Sequence, residues 1–283
     1  MRKPPEPEII TPHLLRGWPL PQPQGDKKAR GTALVVGGAR FTPGAVLLAG
    51  LAALRAGAGR LQLAVADSTA IALSIAVPEA AVVGLPENGG GVPDGLLAMA
   101  ADADVIAVGP GLDDIGEAAR LMTAVLDAAG KDTPVVLDAY ALGALSRDND
   151  LLRGRPQPVV LTPNTGEAAR LLGDEITDVS AAAVALSAGR HAVVCLQGDI
   201  AAPDGRHWRD ENGDVGLGTS GSGDVQAGIV AGLLARGADP AQAACWGTFA
   251  HSVSGQRLIP RHGRTGYLAR ELVDEVAYTI ATV

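Results

Sequence analysis

A glycine-rich segment, GLGTSGSGD at residues 216–224, places small and hydroxyl residues around one carboxylate, Asp224. The backbone N–H groups of Gly221, Ser222 and Gly223 can turn toward one point, where the positive end of a following helix adds to their field. Such a loop is an anion hole suited to a phosphoryl group in transit. A carboxylate beside that anion is unfavourable unless it acts as a base. We therefore expect Asp224 to accept a proton from a substrate hydroxyl.

The same letters allow two other interpretations. GLGTSG matches the dinucleotide fingerprint G-x-G-x-x-G, but the preceding residues RDENGDV are polar where that fingerprint needs a buried strand. The nearest acidic residue at the required distance, Asp239, stands in a turn after a helix. In the other interpretation, Asp224 only caps a helix N-terminus. The crowding of glycines favours the anion hole over both.

The composition limits the partners that the protein can have. A net charge of −8 and an aromatic content of 3% argue against a nucleic-acid surface. No stretch has the roughly 18 consecutive apolar residues of a membrane span, and MRKPPEPEII lacks the apolar run of a signal peptide. We expect a cytoplasmic protein in which Cys195 and Cys245 are buried and reduced. The five histidines show no metal-ligand spacing, and His251 is typical of a buried helix histidine.

Short apolar strands alternate with helical segments along most of the chain. The strand-like segments are TALVVGG, RLQLAVA, DVIAVGPG, PVVLDAYAL, PVVLTPN and AVVCLQG. This alternation predicts βαβ units, a mostly parallel sheet and helices on both faces. The segment DIAAPDGRHWRDEN predicts a hairpin at the sheet edge, followed by three apolar helices. We expect an extended segment over residues 1–30 and a single catalytic domain over residues 31–283.

Several segments together resemble the ADP-dependent NAD(P)H-hydrate dehydratases of the ribokinase-like superfamily. KKARGTALVVGGARFTPGAVLLAGLAALRAGAG is similar to that family's first strand and helix, and VGPGL, VVLDAYAL, LTPNTGEAARLL and GLGTSGSGD follow in the family's order. The resemblance runs from about residue 27 to the end of the chain. It implies a ribokinase-like three-layer sandwich that repairs hydrated NADH or NADPH. In such enzymes ADP or ATP phosphorylates the ring hydroxyl, and phosphate then leaves.

The resemblance also implies roles for residues outside the loop. The residues that would contact the hydrated dinucleotide, with Asp224, are Ala45, Gly111 and Asn164. The residues that would bind the nucleotide are Gln197, Gly198 and Gly223. The carboxylates that would hold Mg²⁺ through water are Glu167 and Asp138. The family further implies a homo-oligomer, a tetramer.

Five of these residues also have an ordinary structural interpretation. Ala45 is a common residue for a helix start, and Gly111 for a turn. TPNTGE is a typical helix-capping sequence, in which Asn164 or Thr165 is the cap and Glu167 stands in the first turn. Asp138, at the end of a buried strand, is as readily a purely structural carboxylate.

Four positions depart from the family's pattern. Asn164-Thr165 replaces His-Pro, Tyr140 replaces a second aspartate, and GTSG at 218–221 replaces Ala-Thr-Gly-Gly. Gln197-Gly198-Asp199-Ile200 replaces a Lys-Gly segment that holds the nucleotide. The lysine's positive charge is therefore missing, and Asp199 is expected to add repulsion.

Three functions remain compatible with these departures. The chain is a dehydratase that binds ADP or ATP weakly and uses Arg206 or Arg209 in place of the lysine. Alternatively it is a ribokinase-like kinase of a sugar or vitamin alcohol. In the third case it is a nucleotide-binding protein that keeps the fold without the chemistry.

Overall fold

One mostly parallel sheet of ten strands runs through the computed structural model, which describes residues 6–87 and 89–283. The strands are β1 (Glu8–Ile9), β2 (Thr32–Val36), β3 (Arg60–Ala66), β4 (Ala80–Leu85), β5 (Val105–Val108), β6 (Val135–Leu137), β7 (Val159–Leu161), β8 (Val193–Leu196), β9 (Asp199–Ala201) and β10 (His207–Arg209). Their order across the sheet is β1-β10-β9-β8-β7-β6-β5-β2-β3-β4. All neighbouring pairs from β8 to β4 are parallel. The predicted α/β class is confirmed.

Helices cover both faces of this sheet. They are α1 (Pro12–Gly17), α2 (Pro43–Ala56), α3 (Asp67–Ala76), α4 (Asp94–Asp102), α5 (Ile115–Ala128), α6 (Ala139–Arg147), α7 (Thr165–Leu172), α8 (Val179–Arg190), α9 (Ser222–Ala235), α10 (Pro240–His262) and α11 (Ala269–Ala281). One apolar core joins α1–α3 and α9–α11 to one face, and a second core joins α4–α8 to the other. This is the three-layer sandwich that we predicted. In the part of the chain that the structure describes, no helix has the length and apolar character to cross a membrane.

The strand order changes direction between β5 and β2. The chain runs from β2 outward to β3 and β4, and then returns to place β5 on the other side of β2. Open α/β sheets bind ligands in the crevice that such a reversal leaves at the carboxyl ends of the strands. The loops that follow β2 and β5 are therefore where a ligand is expected.

The hairpin predicted for DIAAPDGRHWRDEN is confirmed. Strands β9 and β10 pair antiparallel, and the Ala202 amide donates to the Arg206 carbonyl across the turn, at 2.9 Å. Strand β1 pairs with the outer side of β10. The hairpin is therefore next to the sheet edge, and the N-terminal segment covers it.

The prediction that residues 1–30 form only an extended segment is wrong. Its residues 1–5 lie outside the described residues, but the remainder contains β1 and α1. The side chain of Thr11 caps α1, and Pro12 occupies the first turn, where its fixed φ favours a helix. Leu15 of α1 is fully buried in the core that also contains α2 and α9. Proline here starts a helix rather than preventing one.

The strand predicted for PVVLDAYAL ends sooner than expected. Strand β6 stops at Leu137, and α6 begins at Ala139. Ala139 has a φ of +47°, a left-handed conformation that is uncommon for a residue with a side chain. This sharp change of direction leaves Asp138 between strand and helix, at the carboxyl edge of the sheet.

Helices α2 and α9 pack in close contact through small residues. A Cβ on Gly228 or Gly232 of α9 would lie 2.2 Å from the carbonyl oxygens of Ala49 and Ala53 of α2, respectively. Only glycine permits this approach of the two backbones. The packing holds the N-terminal end of α9, where the glycine-rich loop ends, against the first turns of α2.

Candidate active site

The loops after β2 and β5 are hydrogen-bonded to each other where the strand order reverses. The amides of Gly38 and Ala39 each donate a hydrogen bond of 2.8 Å to the loop after β5. Their acceptors are the carbonyls of Pro110 and Gly111. A cleft of about 370 Å³, lined in part by both loops, opens beside them. This cleft lies where the fold leads us to expect a ligand.

The predicted substrate contacts Ala45 and Gly111 are neighbours of each other beside this cleft, but neither of them lines it. Gly111 has a φ of +69°, and a Cβ at this position would lie 2.8 Å from the Ala45 Cβ and 2.5 Å from the Thr42 carbonyl oxygen. Any larger residue at position 111 would separate the two loops. The turn interpretation of Gly111 is thus correct, and its contact with substrate remains a prediction.

Helix α9 begins at Ser222, with Gly221 as its N-cap, directly after the glycine-rich loop. A 3-10 turn, Val215–Gly218, precedes it in place of a buried strand, as expected from the polar sequence. Gly221 has a φ of +88°, and a Cβ there would lie 2.5 Å from Leu48 Cδ1 on α2. Ala45 stands one turn before Leu48, so the loop and the cleft residues share one end of α2.

Three N–H groups at the start of α9 are open to a ligand. Within the described residues, the amides of Gly221, Gly223 and Asp224 have no hydrogen-bond acceptor. The Ser222 amide, one of the three that we predicted to face the anion, instead donates to the Thr219 carbonyl at 3.2 Å, and the Asp224 amide, which we did not predict, is open in its place. Gly223 is exposed, and nothing lies within 4 Å of the position of its missing Cβ. An anion can therefore approach these amides directly.

Asp224 does not cap the helix. The N-cap of α9 is Gly221, and no side chain makes the capping hydrogen bond. Burial raises the pKa of Asp224 to about 6. A carboxyl group with such a pKa is a stronger base than an ordinary aspartate while it remains ionised at neutral pH. Its position and its pKa both suit a general base next to an anion.

A second carboxyl group, Asp138, is close to Asp224. Asp138 is 6% exposed and accepts a hydrogen bond of 2.8 Å from Thr162 Oγ1. Burial raises the pKa of Asp138 to about 7, and the charges of Asp224 and Glu167 add to the effect. Burial also raises the pKa of Glu167. Asp138 therefore lies close enough to both Asp224 and Glu167 for their charges to raise its pKa, and Thr162 is a site residue that we did not predict.

Asn164 and Glu167 form a capping box at the start of α7. The Asn164 side chain accepts from the Glu167 amide and the Glu167 carboxylate accepts from the Asn164 amide, each at 2.9 Å. The capping interpretation is therefore correct, with Asn164 rather than Thr165 as the cap. Asn164 is exposed at the carboxyl edge of the sheet, so its contact with substrate remains a prediction.

Gln197 and Gly198 form the tight turn between β8 and β9. Both have positive φ, +47° and +89°, and the Gly198 carbonyl accepts from the Asp210 amide at 2.8 Å. The Gln197 side chain is exposed. Because β8 is parallel to β7 and β6, this turn lies at the same edge of the sheet as Asp138.

The repulsion expected from Asp199 does not arise. Asp199 is 4% exposed, and its carboxylate is paired with His207 at 2.7 Å and with Arg209 at 3.2 Å. Its charge is therefore balanced inside the hairpin. Both cations expected to replace the missing lysine are also paired, Arg209 with Asp199 and Arg206 with Asp204 at 2.7 Å.

The described residues contain no group of three or more His, Cys, Asp or Glu side chains able to hold a metal ion. A magnesium ion needs no such group, because it keeps several of its water molecules when bound to proteins. Asp138 provides a carboxyl group close enough to Glu167 and Asp224 for their charges to raise its pKa, and a cation would relieve this repulsion. The residues present therefore fit Mg²⁺ bound through water.

The fold and this set of residues define a class of protein. A profile of the NAD(P)H-hydrate dehydratase family matches residues 33–277, most of the chain. The chain belongs to this family.

Individual relatives agree with this assignment. Over 283 aligned residues the chain is 46% identical to the ADP-dependent (S)-NAD(P)H-hydrate dehydratase of Xanthomonas campestris pv. campestris, with 96% of each chain covered. Among solved structures, the ADP/ATP-dependent NAD(P)H-hydrate dehydratase of Bacillus subtilis, co-crystallized with ATP/Mg²⁺, is 30% identical with a TM-score of 0.84, covering 98% of this chain and 99% of that chain. A ribokinase-like superfamily protein from Enterococcus faecalis V583 is 25% identical with a TM-score of 0.79, covering 93% and 92%. The predicted family and the ribokinase-like fold are both confirmed.

Proposed function

We propose that this chain is an ADP-dependent NAD(P)H-hydrate dehydratase, which uses a nucleotide phosphoryl group to remove water from hydrated NADH or NADPH. One observation carries the proposal. Asp224, a carboxylate of raised pKa, lies in the same helical turn as three amides without acceptors. A base and an anion hole so close together suit transfer of a phosphoryl group to a hydroxyl.

The residues of the loop act in the first step of the reaction, the phosphoryl transfer. Asp224 accepts the proton of the ring hydroxyl. The oxygen of that hydroxyl attacks the terminal phosphorus of the nucleotide at the same time. The amides of Gly221, Gly223 and Asp224 stabilise the negative charge of the phosphoryl group during transfer. Phosphate then leaves the ring with the former hydroxyl oxygen, and loss of a neighbouring C–H proton restores the double bond.

Asp138 and Glu167 would hold Mg²⁺ through its water molecules. When bound, the ion supplies positive charge that offsets the charge of the nucleotide phosphates. Thr162 donates to Asp138 at 2.8 Å and so fixes the orientation of this carboxyl group. The proposal is supported by the effect of the Asp224 and Glu167 charges on the pKa of Asp138.

The hydrated dinucleotide would lie in the cleft where the strand order reverses. Ala45 and Gly111, whose small size lets a ring or ribose approach the backbone closely, stand beside the cleft lined by the loops after β2 and β5. Asn164, exposed at the same edge of the sheet, would provide a side-chain amide. The Asp224 carboxylate would face the ring hydroxyl of the bound hydrate.

The activity is expected to depend on the ionisation of Asp224. Because its pKa is raised to about 6, the basic form is lost as the pH falls below that value. We expect kcat/KM to be nearly constant above pH 8 and to fall about tenfold per pH unit below pH 6. Initial rates between pH 5 and 9 test this, with circular dichroism at each pH as the control for folding. A flat profile down to pH 5 would exclude Asp224 as the base.

Nucleotide binding would involve Gln197, Gly198 and Gly223. The exposed Gln197 stands where the family has lysine, and ADP would be held without that charge. The Gln197→Lys variant is expected to bind ADP about 10- to 100-fold more tightly, since a charge-assisted hydrogen bond contributes about 1.5–3 kcal/mol. Isothermal titration calorimetry measures the change in Kd.

Gln197→Met is the matched control for this substitution. It keeps an unbranched side chain of similar length at the same positive φ, without charge, and should leave the Kd for ADP within about threefold of the wild type, a difference below 1 kcal/mol. An equal Kd for Gln197→Lys and Gln197→Met would place Gln197 away from the nucleotide.

Turnover of the substrate tests the function itself. Hydrated NADH or NADPH, incubated with the protein, Mg²⁺ and ADP or ATP, should regain the absorbance of the reduced coenzyme only when a nucleotide is present. A stable phosphorylated product would instead indicate a ribokinase-like kinase. Thermal stabilisation by ADP without turnover would indicate a nucleotide-binding protein that has lost the reaction.

The chain is also proposed to assemble as a homotetramer. Three large apolar side chains on the loop after β2 and on α3 are strongly exposed: Phe41 at 85%, Ile71 at 78% and Ile75 at 76%. Ile71 and Ile75 are one turn apart on α3 and so share one face of that helix. Multi-angle light scattering of the purified protein measures the mass of the assembly.

A further inference from the structure

One buried histidine contacts the first turn of α9 from the interior of the protein. His251 on α10 is 6% exposed, and its Nε2 lies 2.8 Å from Ser222 Oγ. Burial lowers the pKa of His251 to about 4, and a hydrogen bond with the Ser222 backbone opposes this shift. The imidazole is therefore neutral at working pH. The reaction steps above use neither His251 nor the Ser222 side chain.

Ser222 directs its hydroxyl into the protein rather than toward a ligand. It is 3% exposed and is the first residue of α9. A serine at the start of an anion-binding helix would ordinarily be assigned to the ligand. Here the contact with His251 occupies the hydroxyl, so the anion is left with backbone donors.

This contact is the side-chain hydrogen bond that fixes the first turn of α9. No side chain caps the helix, and Gly221 and Gly223 have none to offer. Within the described residues, Asp224 has no side-chain hydrogen bond either, so the His251–Ser222 pair is alone among residues 221–224. It ties the turn that carries the open amides to α10, a helix of 23 residues.

We propose that His251 is a positioning residue of the anion hole, acting through Ser222 to hold the amides of Gly223 and Asp224 and the Asp224 carboxylate in place. The inference rests on the proposed dehydratase function for its catalytic consequence, but the ordering of the loop does not depend on it. His251 never touches the phosphoryl group. Its loss misplaces the donors and the base by a small distance, to which phosphoryl transfer is sensitive.

The test uses four variants of the full chain. His251→Phe removes the hydrogen bond, His251→Gln keeps a side chain able to donate or accept at a similar position, and Ser222→Ala removes the other partner. The fourth is the double variant His251→Phe/Ser222→Ala. Ser254→Ala is the matched control, because Ser254 is fully buried on the same helix and bonds Thr279 at 3.1 Å instead of the loop.

We expect His251→Phe to lower kcat by up to about 100-fold and to change the KM for the hydrate by less than about threefold. His251→Gln should recover most of the loss, and the double variant should be no slower than the slower single variant. Ser254→Ala should lower Tm and keep kcat. The proposal would be overturned if the fold-decreases in kcat of the two single variants multiplied in the double variant. An unchanged kcat for His251→Phe would also overturn it.

Hydrogen exchange of peptides covering residues 219–225 separates this inference from the proposed function. His251→Phe should speed exchange of the Ser222 and Val225 amides, which donate to the Thr219 and Gly221 carbonyls in this turn, about tenfold or more, whereas Ser254→Ala should not. If the wild-type protein showed no turnover, the dehydratase function would be excluded. The faster hydrogen exchange in His251→Phe would still support the positioning role. Unchanged exchange in His251→Phe would overturn the positioning role whatever the activity.

Discussion

Asp224→Asn is expected to lower kcat by about 10²–10⁴-fold, the usual contribution of a positioned general base. Asparagine has nearly the same shape as aspartate but cannot accept the proton of the ring hydroxyl. Because the amides of the anion hole remain, the Kd for ADP should stay within about threefold of the wild type. Stopped-flow measurement of reduced coenzyme formation, with calorimetry for ADP, gives both numbers.

The same variant should not be less stable at pH 8. The pKa of Asp224 is raised from 3.8 to about 6 in the folded chain, so the folded state binds more protons than the unfolded state between these pH values. Stability therefore falls as the pH rises through that interval, and the ionised carboxylate remains unfavourable above it. Asparagine removes this charge, so Tm at pH 8 should equal or exceed that of the wild type.

Asp132→Asn is the control for the loss of a carboxylate. Asp132 is exposed in the loop before β6, at the opposite end of the strand from Asp138, and its substitution should change neither kcat nor Tm. Asp224→Asn with kcat within tenfold of the wild type would move the base to another residue.

Gly221→Ala is expected to have the second largest effect. Gly221 has a φ of +88°, and an added Cβ would lie 2.5 Å from Leu48 Cδ1 and 3.1 Å from the Ala269 Cβ. The left-handed backbone alone disfavours alanine by about 1–2 kcal/mol, and the overlap with α2 adds to this. We expect Tm to fall by roughly 4–10 °C. Differential scanning fluorimetry measures the shift.

Displacement of the loop should also reduce the rate. A single displaced donor of an anion hole lowers kcat by about 10²–10³-fold, and Gly221 both donates and orients the next amides. Gly218→Ala is the matched control, because Gly218 is exposed in the same loop with open space around its missing Cβ. It should keep kcat and Tm. Equal behaviour of the two alanine variants would show that the loop does not need the left-handed residue.

Most of the sheet could be predicted from the sequence because its strands are buried on both faces. Such strands are continuous apolar runs between glycine or proline turns, and ALVV before Gly37 and VIAV before Gly109 are clear examples. Strand β4 and helices α3 and α4 were not predicted. β4 borders the sheet, with Ala81 exposed and Val82 and Val83 half-buried, but its residues AAVVGL are an apolar run that is itself typical of a strand.

The elements that we assigned wrongly were determined by tertiary contacts. Residues 8–20 contain two prolines and have no regular apolar spacing, yet Ile10, Leu15 and Leu20 are buried in the core that also contains α2, α9 and α10. A few apolar residues are enough to fix a short strand and helix when the rest of the protein provides an apolar surface for them to pack against. In DAYAL, the left-handed Ala139 turns the chain into α6, and no local signal distinguishes this alanine from those within a strand.

The site could be predicted only in part. Asp224 followed from its position among glycines, a pattern that lies within one short segment. The contacts of Asp138 with Thr162 and of His251 with Ser222 join residues 24 and 29 positions apart. The balance of Asp199 by His207 and Arg209 depends on the hairpin. Such pairs leave no mark at any fixed spacing in the sequence.

The fate of the ring oxygen tests the central claim most directly. The substrate is hydrated NADH labelled with ¹⁸O in the ring hydroxyl, converted with ADP and Mg²⁺, and the released phosphate is analysed by mass spectrometry. If Asp224 directs phosphorylation of that hydroxyl, each phosphate should carry one ¹⁸O atom, with one AMP formed per NADH. Label found in water, with unlabelled phosphate, would show that the hydroxyl is lost without phosphorylation and would contradict the role assigned to the loop.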